Sequence, residues 1–500
     1  MIDLDVILLV GAVVVIAAIV AARIGAGFGL PSLLLFLGLG MLLGQDGFGG
    51  LAFNNAELAH ALGFGALVLI LAEGGLTTRW ADIRASAAPA TVLATLGVGI
   101  SVALMAVFGH VVLGLPWAIA VLLGAVTSPT DAAAVFSVLR RVPVPHRLRG
   151  TLEAESGLND APTVLLVTLA SSVAAGHPTE GGPVLIGLLV LAELVGGVVI
   201  GVGLGWVGVQ ILRRVALPSS GLYPLAALVW TVFAYGATAT AHASGFAAVY
   251  ACALMLGNAQ LPHRAATRSF VEGIGWIAQI GLFIMLGLLA TPSRVTWEAV
   301  LTAMAAGLFL TFLARPVSVY LCLVWFKVPL REQTFLSWAG LRGAVPIVLA
   351  TVPLADGIPR GLFFFDVVLV FVVVFTCLQA PTLPFVARRL GLAEDRAARD
   401  VEVEAAPLDQ ISADLLQVRI PERSRLAGIE IAELRLPPNT VVSLIIRDAT
   451  PFNPGPRERI KIGDELLIVT PSVSRQVTED RLLALGRGGR LARWRGTPAT

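Results

Sequence analysis

The feature that most constrains this chain is a series of long apolar runs that fills its first 390 residues. A helix needs roughly 20 apolar residues to cross the hydrocarbon of a bilayer. The runs occupy residues 6–23, 29–44, 59–75, 89–113, 116–139, 150–174, 184–212, 222–241, 245–259, 270–291, 297–326, 333–353 and 364–387. We therefore predict an all-α polytopic membrane protein with about 13 transmembrane helices. The second, third and ninth runs are short, so one or two of them are open to a re-entrant or tilted path.

The positive charges in the loops indicate how the chain crosses the membrane. Loops after odd-numbered runs contain 15 arginine and lysine residues, whereas loops after even-numbered runs contain only Arg294 and Arg360. Because positively charged loops stay in the cytoplasm, the asymmetry places the N-terminus outside and the C-terminus inside. The first run lacks the positive start and cleavage site of a signal peptide, so we expect a retained span.

Charged residues are concentrated in the last fifth of the chain, where 32 of the 68 follow residue 390. We predict a transmembrane domain over 1–390, a charged and alanine-rich linker over 391–410, and a small cytoplasmic domain over 411–480. The arginine-rich residues 487–500 are predicted to be a disordered basic tail.

The apolar period of the cytoplasmic domain changes from helical to alternating. This pattern predicts strands over 415–420, 441–446 and 465–469, and a short amphipathic helix over 426–436. Turn residues punctuate the strands at Pro437-Pro438-Asn439 and Gly463-Asp464. The domain is therefore expected to have an α+β fold.

Composition excludes several classes of function. The formal net charge is only +2, so we expect no nucleic-acid partner. The three cysteines lie in apolar runs without metal-ligand spacing, and the six histidines are scattered. We therefore predict no cofactor.

Ionisable residues inside the apolar runs mark the place where function is expected, because a charge in hydrocarbon is costly. The clearest set is Asp131, Glu155, Asp160, Arg315 and Arg342, with Glu73 and Glu193 as further candidates. The fifth run contains Thr127-Ser128-Pro129-Thr130-Asp131. A proline disturbs the helix and frees backbone carbonyls, which can coordinate a cation. An ordinary proline kink is the structural alternative, but the adjacent aspartate favours a functional break.

The sixth run contains Glu155-Ser156-Gly157-Leu158-Asn159-Asp160, in which four oxygen-bearing side chains line one side of the helix. Residues four apart share a helical face, so Glu155 lies with Asn159, and Ser156 lies with Asp160. Alkali cations are bound by oxygen atoms in membrane proteins. Polar contacts between helices would explain a serine or an asparagine but not two carboxylates, so we predict a cation site here.

The twelfth run contains Gly340-Leu341-Arg342-Gly343-Ala344-Val345-Pro346, which predicts a second helix break. An arginine keeps its proton, so Arg342 needs a carboxylate partner, and we predict Glu155. Arg315 either serves in the same way or holds helices together. Runs 4–6 and 11–13 enter the membrane in opposite directions, so the two breaks occupy matching positions of inverted repeats. Such repeats place a transport site near the bilayer midplane.

These motifs resemble those of bacterial monovalent cation/proton antiporters of the NhaP type, over essentially the whole membrane region. The motifs span residues 128–136, 155–162 and 338–346, and the Glu-Ser-Gly-x-Asn-Asp form is most similar to the potassium/proton branch. The motifs within residues 424–466 resemble the TrkA-C module of potassium-conductance regulators, also known as the RCK C-terminal domain. Some relatives carry a further cytoplasmic domain, which we do not find here.

The resemblance implies roles for single residues. Asp160 is expected to bind the cation and the proton in turn, and Thr130 and Ser156 are expected to contribute further cation ligands. Asp131 and Glu155 are expected to shape the site.

Two pairings are also implied by the resemblance. Asn159 is expected to pair with Asp131 and hold the broken elements together, and Arg342 is expected to neutralise Glu155. The resemblance further implies a homodimer with a mobile core beside a dimerisation domain. A small anionic or nucleotide ligand is a possible occupant of the cytoplasmic domain.

The expected function is exchange of a monovalent cation for a proton by alternating access. A buried carboxylate can carry either a proton or a metal cation, and both loaded states neutralise it. Electrogenic relatives have a second aspartate where this chain has Asn159, which favours an electroneutral one-for-one exchange. Potassium is favoured, and sodium remains open.

Two alternatives belong to other classes. A cation channel gated by the cytoplasmic module would need a selectivity filter, and no Thr-Val-Gly-Tyr-Gly-like sequence occurs. An intramembrane hydrolase using Asp131 and Asp160 would be expected to show a Gly-x-Gly-Asp or His-Glu-x-x-His signature, and neither is present.

Overall fold

The computed structural model describes most of the chain, in two compact units. The described residues are 4–28, 31–131, 134–135, 138, 144–177, 183–392, 402–408, 413–421, 424–448 and 450–489. The first unit is Met1–Ala393 and the second is Glu394–Thr500.

The first unit is almost entirely helical, because its apolar runs leave backbone groups that only an internal hydrogen-bond ladder satisfies in lipid. Its first eight named helices are α1 Leu4–Phe28, α2 Ser32–Leu43, α3 Ala56–Thr77, α4 Trp80–Ile83, α5 Ala87–Val111, α6 Trp117–Thr127, α7 His146–Ala174 and α8 Pro183–Arg214. The next seven are α9 Leu222–Thr240, α10 Gly245–Asn258, α11 Arg264–Leu289, α12 Trp297–Phe326, α13 Leu330–Trp338, α14 Ala344–Ala355 and α15 Gly361–Arg389.

Every predicted apolar run contains a described helix, so the prediction of a helical, multi-pass membrane protein is confirmed. Seven of the described helices are long and apolar enough to cross a membrane by length and composition. Others are shorter, such as the 12-residue α2 and the 14-residue α10. The number of 13 crossings stays a prediction.

The described helices sort into two packed groups. One group contains α5, α6, α7 and α12 to α15, and the other contains α1 to α3 and α8 to α11. We call them the core group and the flanking group. The core group holds both predicted helix breaks, because α6 ends at Thr127 and α13 ends at Trp338.

The first helix of each predicted repeat carries the same irregularity. Residues Leu93–Gly97 of α5 and Leu310–Ala314 of α12 form single π-helical turns. Such turns widen a helix locally and are frequent at functional sites. Their matching positions agree with the inverted-repeat arrangement predicted from the loops.

The second unit is an antiparallel sheet with one long helix. Its strands are β1 Glu402–Leu408, β2 Ala413–Arg419, β3 Val441–Arg447, β4 Thr450–Phe452 and β5 Glu465–Pro471, in the order β1-β2-β5-β3-β4. Helix α16, Arg475–Gly488, follows β5. Alternate strand residues such as Leu416, Ile445 and Ile468 are fully buried and form the core with Leu482 of α16.

The three predicted strands are confirmed, but other local predictions for this unit were wrong. The predicted helix over 426–436 is only a short 3-10 turn, Ile431–Leu434. Gly428 and Arg435 adopt positive φ angles of 84° and 46°, which interrupt a helix. The predicted linker contains β1, and α16 was not predicted. Residues 490–500 of the predicted tail lie outside the described residues.

A partly buried ion pair links two elements of the second unit. Arg447 donates from Nε and Nη2 to the two carboxylate oxygens of Asp464, both at 2.8 Å. Glu458 also accepts from Arg447, at 2.9 Å. The Asp464 hydrogen bonds raise the pKa of the Arg447 guanidinium above its usual value. Asp464 is fully buried, so this pairing joins β3 to the turn before β5.

Candidate functional site

The two broken helices meet through their non-helical segments. The chain leaves the helical path after Thr127 and after Trp338, where proline and glycine disfavour continuation. The backbone N–H of Asp131 donates to the carbonyl oxygen of Leu341 at 2.8 Å. This bond joins the two extended segments directly, as expected for crossing broken helices.

Arg342 lies at the carbonyl ends of the helices that lead into the two breaks. Its Nε donates to the Thr127 carbonyl at 3.3 Å, and its Nη1 donates to the Gly340 carbonyl. The last carbonyls of a helix lack internal partners and carry partial negative charge. The described hydrogen bonds therefore show Arg342 compensating helix ends, and the predicted Arg342–Glu155 pair was wrong.

The partner of Glu155 is Arg315. Arg315 Nη1 lies 2.6 Å from Glu155 Oε1, and its Nη2 donates to Oε2 at 3.0 Å. The side chains are only 3% and 1% exposed, so the pair is buried. Both arginines approach the same glycine, because an ideal Cβ on Gly340 would lie 3.1 Å from Arg315 Nε and 3.5 Å from Arg342 Nη1. The structural alternative for Arg315, holding α12 to α7, is therefore correct together with the charge-compensating one.

Asp131 lies where the second half of each broken helix begins. Its Oδ1 accepts from the N–H of Ala134 at 3.3 Å. Gly343 leaves the space for this carboxylate, because an ideal Cβ there would lie 1.7 Å from Asp131 Oδ2. Gly343 precedes α14, so a negative charge sits at the positive end of that helix.

Thr130 connects the break to α7. Asn159 Nδ2 donates to the Thr130 hydroxyl at 3.0 Å, and Ser156 Oγ donates to the Thr130 carbonyl at 2.9 Å. The predicted pairing of Asn159 with Asp131 is thus replaced by a pairing with the preceding residue. Asn159 therefore joins α7 to the first break, whereas the two broken elements are held to each other by the bond from the Asp131 N–H to the Leu341 carbonyl.

The two adjacent faces of α7 that the four-residue spacing predicted have different environments in the structure. Glu155 and Asn159 are fully buried against the core group. Ser156 and Asp160 face a cavity of about 480 Å³. Within the described residues, Asp160 Oδ1 has no hydrogen-bond partner. A carboxylate oxygen is therefore available in the cavity beside the hydroxyl of Ser156 and the break at Thr130.

The cavity gathers carboxylates from both groups of helices. Its acidic lining residues are Glu73, Asp131, Glu153, Asp160 and Glu272, and its basic ones are Arg149 and Arg268. An excess of carboxylates attracts cations into the cavity. Of the further candidates, Glu73 is brought to the site. Glu193 is not among the lining residues, and on α8 its carbonyl accepts from the Ser244 N–H.

Several cavity residues were missed from the sequence. Glu153 lies at the polar start of α7 and resembles an ordinary loop-proximal charge. Thr78 donates to Glu153 Oε1 at 2.9 Å, across from α3 to α7. Tyr250 is one aromatic residue in an apolar run, and no sequence pattern distinguishes it from a core residue.

Two broken helices that cross beside a carboxylate, with a polar cavity leading to it, define a secondary cation transporter. The family model described as sodium/hydrogen exchanger, transmembrane, matches residues 11–389. The chain belongs to this family of cation/proton antiporters. A TrkA-C domain model matches residues 415–482, which confirms the resemblance of the second unit.

Two curated relatives and one solved structure illustrate the likeness. The K(+)/H(+) antiporter NhaP of Alkalimonas amylolytica is 40% identical over 409 residues, which cover 81% of this chain and 70% of the relative. The K(+)/H(+) antiporter NhaP2 of Shewanella baltica is 32% identical over 465 residues, which cover 92% of this chain and 80% of the relative. The sodium proton antiporter MjNhaP1 from Methanocaldococcus jannaschii matches 78% of this chain and 98% of its own, with a TM-score of 0.65. At 22% identity, that match shows a shared fold.

Proposed function

We propose that this antiporter exchanges one K⁺ for one H⁺ at Asp160, without net charge movement. The observation that carries this proposal is the balance of charges at the crossing. Of the five ionisable side chains described there, Arg315 and Arg342 offset Glu155 and Asp131 in formal charge. Asp160 is the one that remains, so a single proton or a single monovalent cation neutralises the crossing.

The same balance accounts for obligatory exchange. A charge that lacks a partner is costly to move through a low-dielectric interior. With Asp160 protonated or cation-bound, the crossing is formally neutral, and the core group that carries it can change its exposure. With Asp160 empty, the crossing carries one unpaired negative charge, which holds the core group back. Proton and cation therefore take turns on one carboxylate.

The oxygen atoms around Asp160 fit an alkali cation. Beside its carboxylate lie the Ser156 hydroxyl and the Thr130 carbonyl, which are already within 2.9 Å of each other. The potassium in the names of the two curated relatives supports K⁺. The sodium in the family description and in the name of MjNhaP1 makes Na⁺ the competing cation.

The cavity favours an inward-open orientation in a bacterial plasma membrane. Arg149 and Arg268 line it, and the distribution of loop charges assigns both to the cytoplasmic side. The N-terminus is then outside, and the TrkA-C domain is cytoplasmic. We include in the proposal a homodimer, as the family resemblance implies, and a small anionic or nucleotide ligand on the TrkA-C domain.

Proton flux in proteoliposomes tests this function. The purified chain is reconstituted with a trapped pH dye, a proton gradient is imposed, and K⁺, Na⁺, Rb⁺ or Li⁺ is added outside. We expect K⁺ to dissipate the gradient at the lowest concentration, at a rate independent of an imposed membrane potential. A rate that follows the potential would contradict electroneutral exchange. Cation flux that requires no counter-moving proton would instead identify a channel.

A further inference from the structure

The side chain of Tyr250, on α10, fills the space beside Gly157 of α7, in the middle of the site. An ideal Cβ on Gly157 of α7 would lie 2.5 Å from both Cζ and Oη of Tyr250. No side chain can occupy this position while the ring stays where it is. Tyr250 is only 6% exposed, so its ring is held in place rather than lying loose in the cavity.

The position of this contact gives it access to the cation. Gly157 follows Ser156 and precedes Asp160 by three residues, so the ring covers the turn of α7 that joins them. Tyr250 lines the same cavity as Ser156, Asp160 and Thr130. It belongs to the flanking group through α10, whereas the other three residues belong to the core group. Tyr250 is therefore a wall of the site that comes from a different group of helices than Ser156, Asp160 and Thr130 do.

The hydroxyl of Tyr250 is a buried oxygen with unused hydrogen-bonding capacity. It lies near Glu153 and Asp160 and has a weak contact with Thr78, but within the described residues no hydrogen bond of good geometry engages it. Thr78 instead donates to Glu153. Burying a hydroxyl without a partner is unfavourable. In a site for cations, this arrangement leaves an oxygen ready to become a ligand.

We propose that Tyr250 determines which alkali cation the Asp160 site accepts. Its ring fixes the wall across from Gly157, and its hydroxyl completes the oxygen shell of the bound cation. Alkali cations of different size need oxygen atoms at different distances, and a rigid wall enforces one distance better than a mobile one. This inference rests on the proposed exchange at Asp160. It adds a specificity residue from the flanking group that the motifs of the core group do not contain.

The test compares apparent KM values for K⁺ and Na⁺ in proteoliposomes containing the whole chain. Tyr250→Phe removes only the hydroxyl, and Tyr250→Leu also removes the ring wall. Gly157→Ala displaces the ring from the opposite side without changing Tyr250. Tyr235→Phe is the matched control, because Tyr235 packs at 5.1 Å against Phe246 and does not line the cavity.

We expect Tyr250→Phe to change the ratio of the two KM values by about threefold or more, the size of effect of losing one polar contact. Tyr250→Leu and Gly157→Ala should shift the ratio in the same direction, and Tyr235→Phe should leave it unchanged. An unchanged ratio in Tyr250→Phe and Gly157→Ala, or loss of turnover by the same factor for both cations, would overturn the inference. Absence of exchange in the unsubstituted protein would instead overturn the proposed function.

Discussion

The residues on the two faces of α7 have different roles. Glu155 and Asn159 are buried and hold α7 to Arg315 and to the break. Asp160 faces the cavity with one oxygen unpartnered among the described residues. Substitutions on the two faces should therefore have different consequences, loss of stability on one and loss of exchange on the other.

Asp160→Asn should abolish exchange while the protein remains folded. The amide keeps the shape of the carboxylate, but it holds neither a transferable proton nor a net charge. Cation-induced change of a trapped pH dye should disappear, and the melting temperature in detergent should be retained. Glu57→Gln is a suitable control, because Glu57 lies in the exposed first turn of α3. Persistent exchange in the Asp160→Asn protein would remove Asp160 from the mechanism.

Arg315→Gln should destabilise the protein strongly. Removing one partner of a buried ion pair leaves an uncompensated charge, which costs about 3–5 kcal/mol. Arg79→Gln is the control, because its pair with Asp82 is 42% and 49% exposed and contributes about 0–1 kcal/mol. Thermal or denaturant unfolding in detergent measures both.

The double variant Glu155→Gln with Arg315→Gln provides the sharper comparison. It should be more stable than Arg315→Gln alone, because no buried charge is left without its partner. If the double variant melts no higher than Arg315→Gln, the loss of stability does not come from an unpaired charge on Glu155.

At the scale of elements, the crossing depends on charges matched to helix ends. Arg342 contacts carbonyls at the end of α6 and just beyond α13, and Asp131 lies at the start of α14. Each charge opposes the partial charge of the helix end beside it. The two breaks are therefore stabilised locally. Arg342 neutralises helix ends whereas Arg315 pairs with Glu155, so the two arginines cannot replace each other.

Gly343→Ala should disrupt the crossing without disturbing any lipid-facing surface. The added methyl would overlap Asp131 Oδ2, which an ideal Cβ approaches to 1.7 Å. The carboxylate must then leave the start of α14, so we expect exchange to fall by at least about tenfold, the effect of roughly 1.4 kcal/mol on the barrier. Gly99→Ala on α5 is the matched control, because a Cβ there meets nothing within 4 Å. Equal initial rates in the two variants would show that Asp131 need not occupy this position.

At the scale of the whole molecule, the second unit should regulate exchange rather than perform it. It is a compact unit with its own hydrophobic core, and the proposed transport residues all lie in the first unit. A chain that ends after Leu392 should still exchange cations for protons in proteoliposomes. Its profile of activity against pH or added ligand should be displaced from that of the whole chain.

A chain that ends after Gly489 is the control for this truncation, because it keeps the complete sheet and α16. Loss of all exchange in the well-folded shorter chain would make the second unit part of the transport machinery. An identical profile under every ligand tried would show that the second unit is passive.

The sequence by itself determined the membrane class, the helical runs and the positions of both breaks. These features depend on local chemistry, since apolar length, proline and glycine act on the residues around them. It also determined the two faces of α7, because helical periodicity alone places Ser156 with Asp160. The alternation of apolar and polar residues predicted β2, β3 and β5 of the second unit, but it did not predict β1 or α16.

Only the tertiary structure decided which arginine pairs with Glu155. Arg315 and Arg342 both lie in apolar runs, and the choice depends on how α12 and the second break are rotated about their axes relative to α7. The same reason explains why Asn159 meets Thr130 and why Tyr250 meets Gly157. These contacts join residues 29 to 160 positions apart in the chain, and packing between helices, not local sequence, brings such residues together.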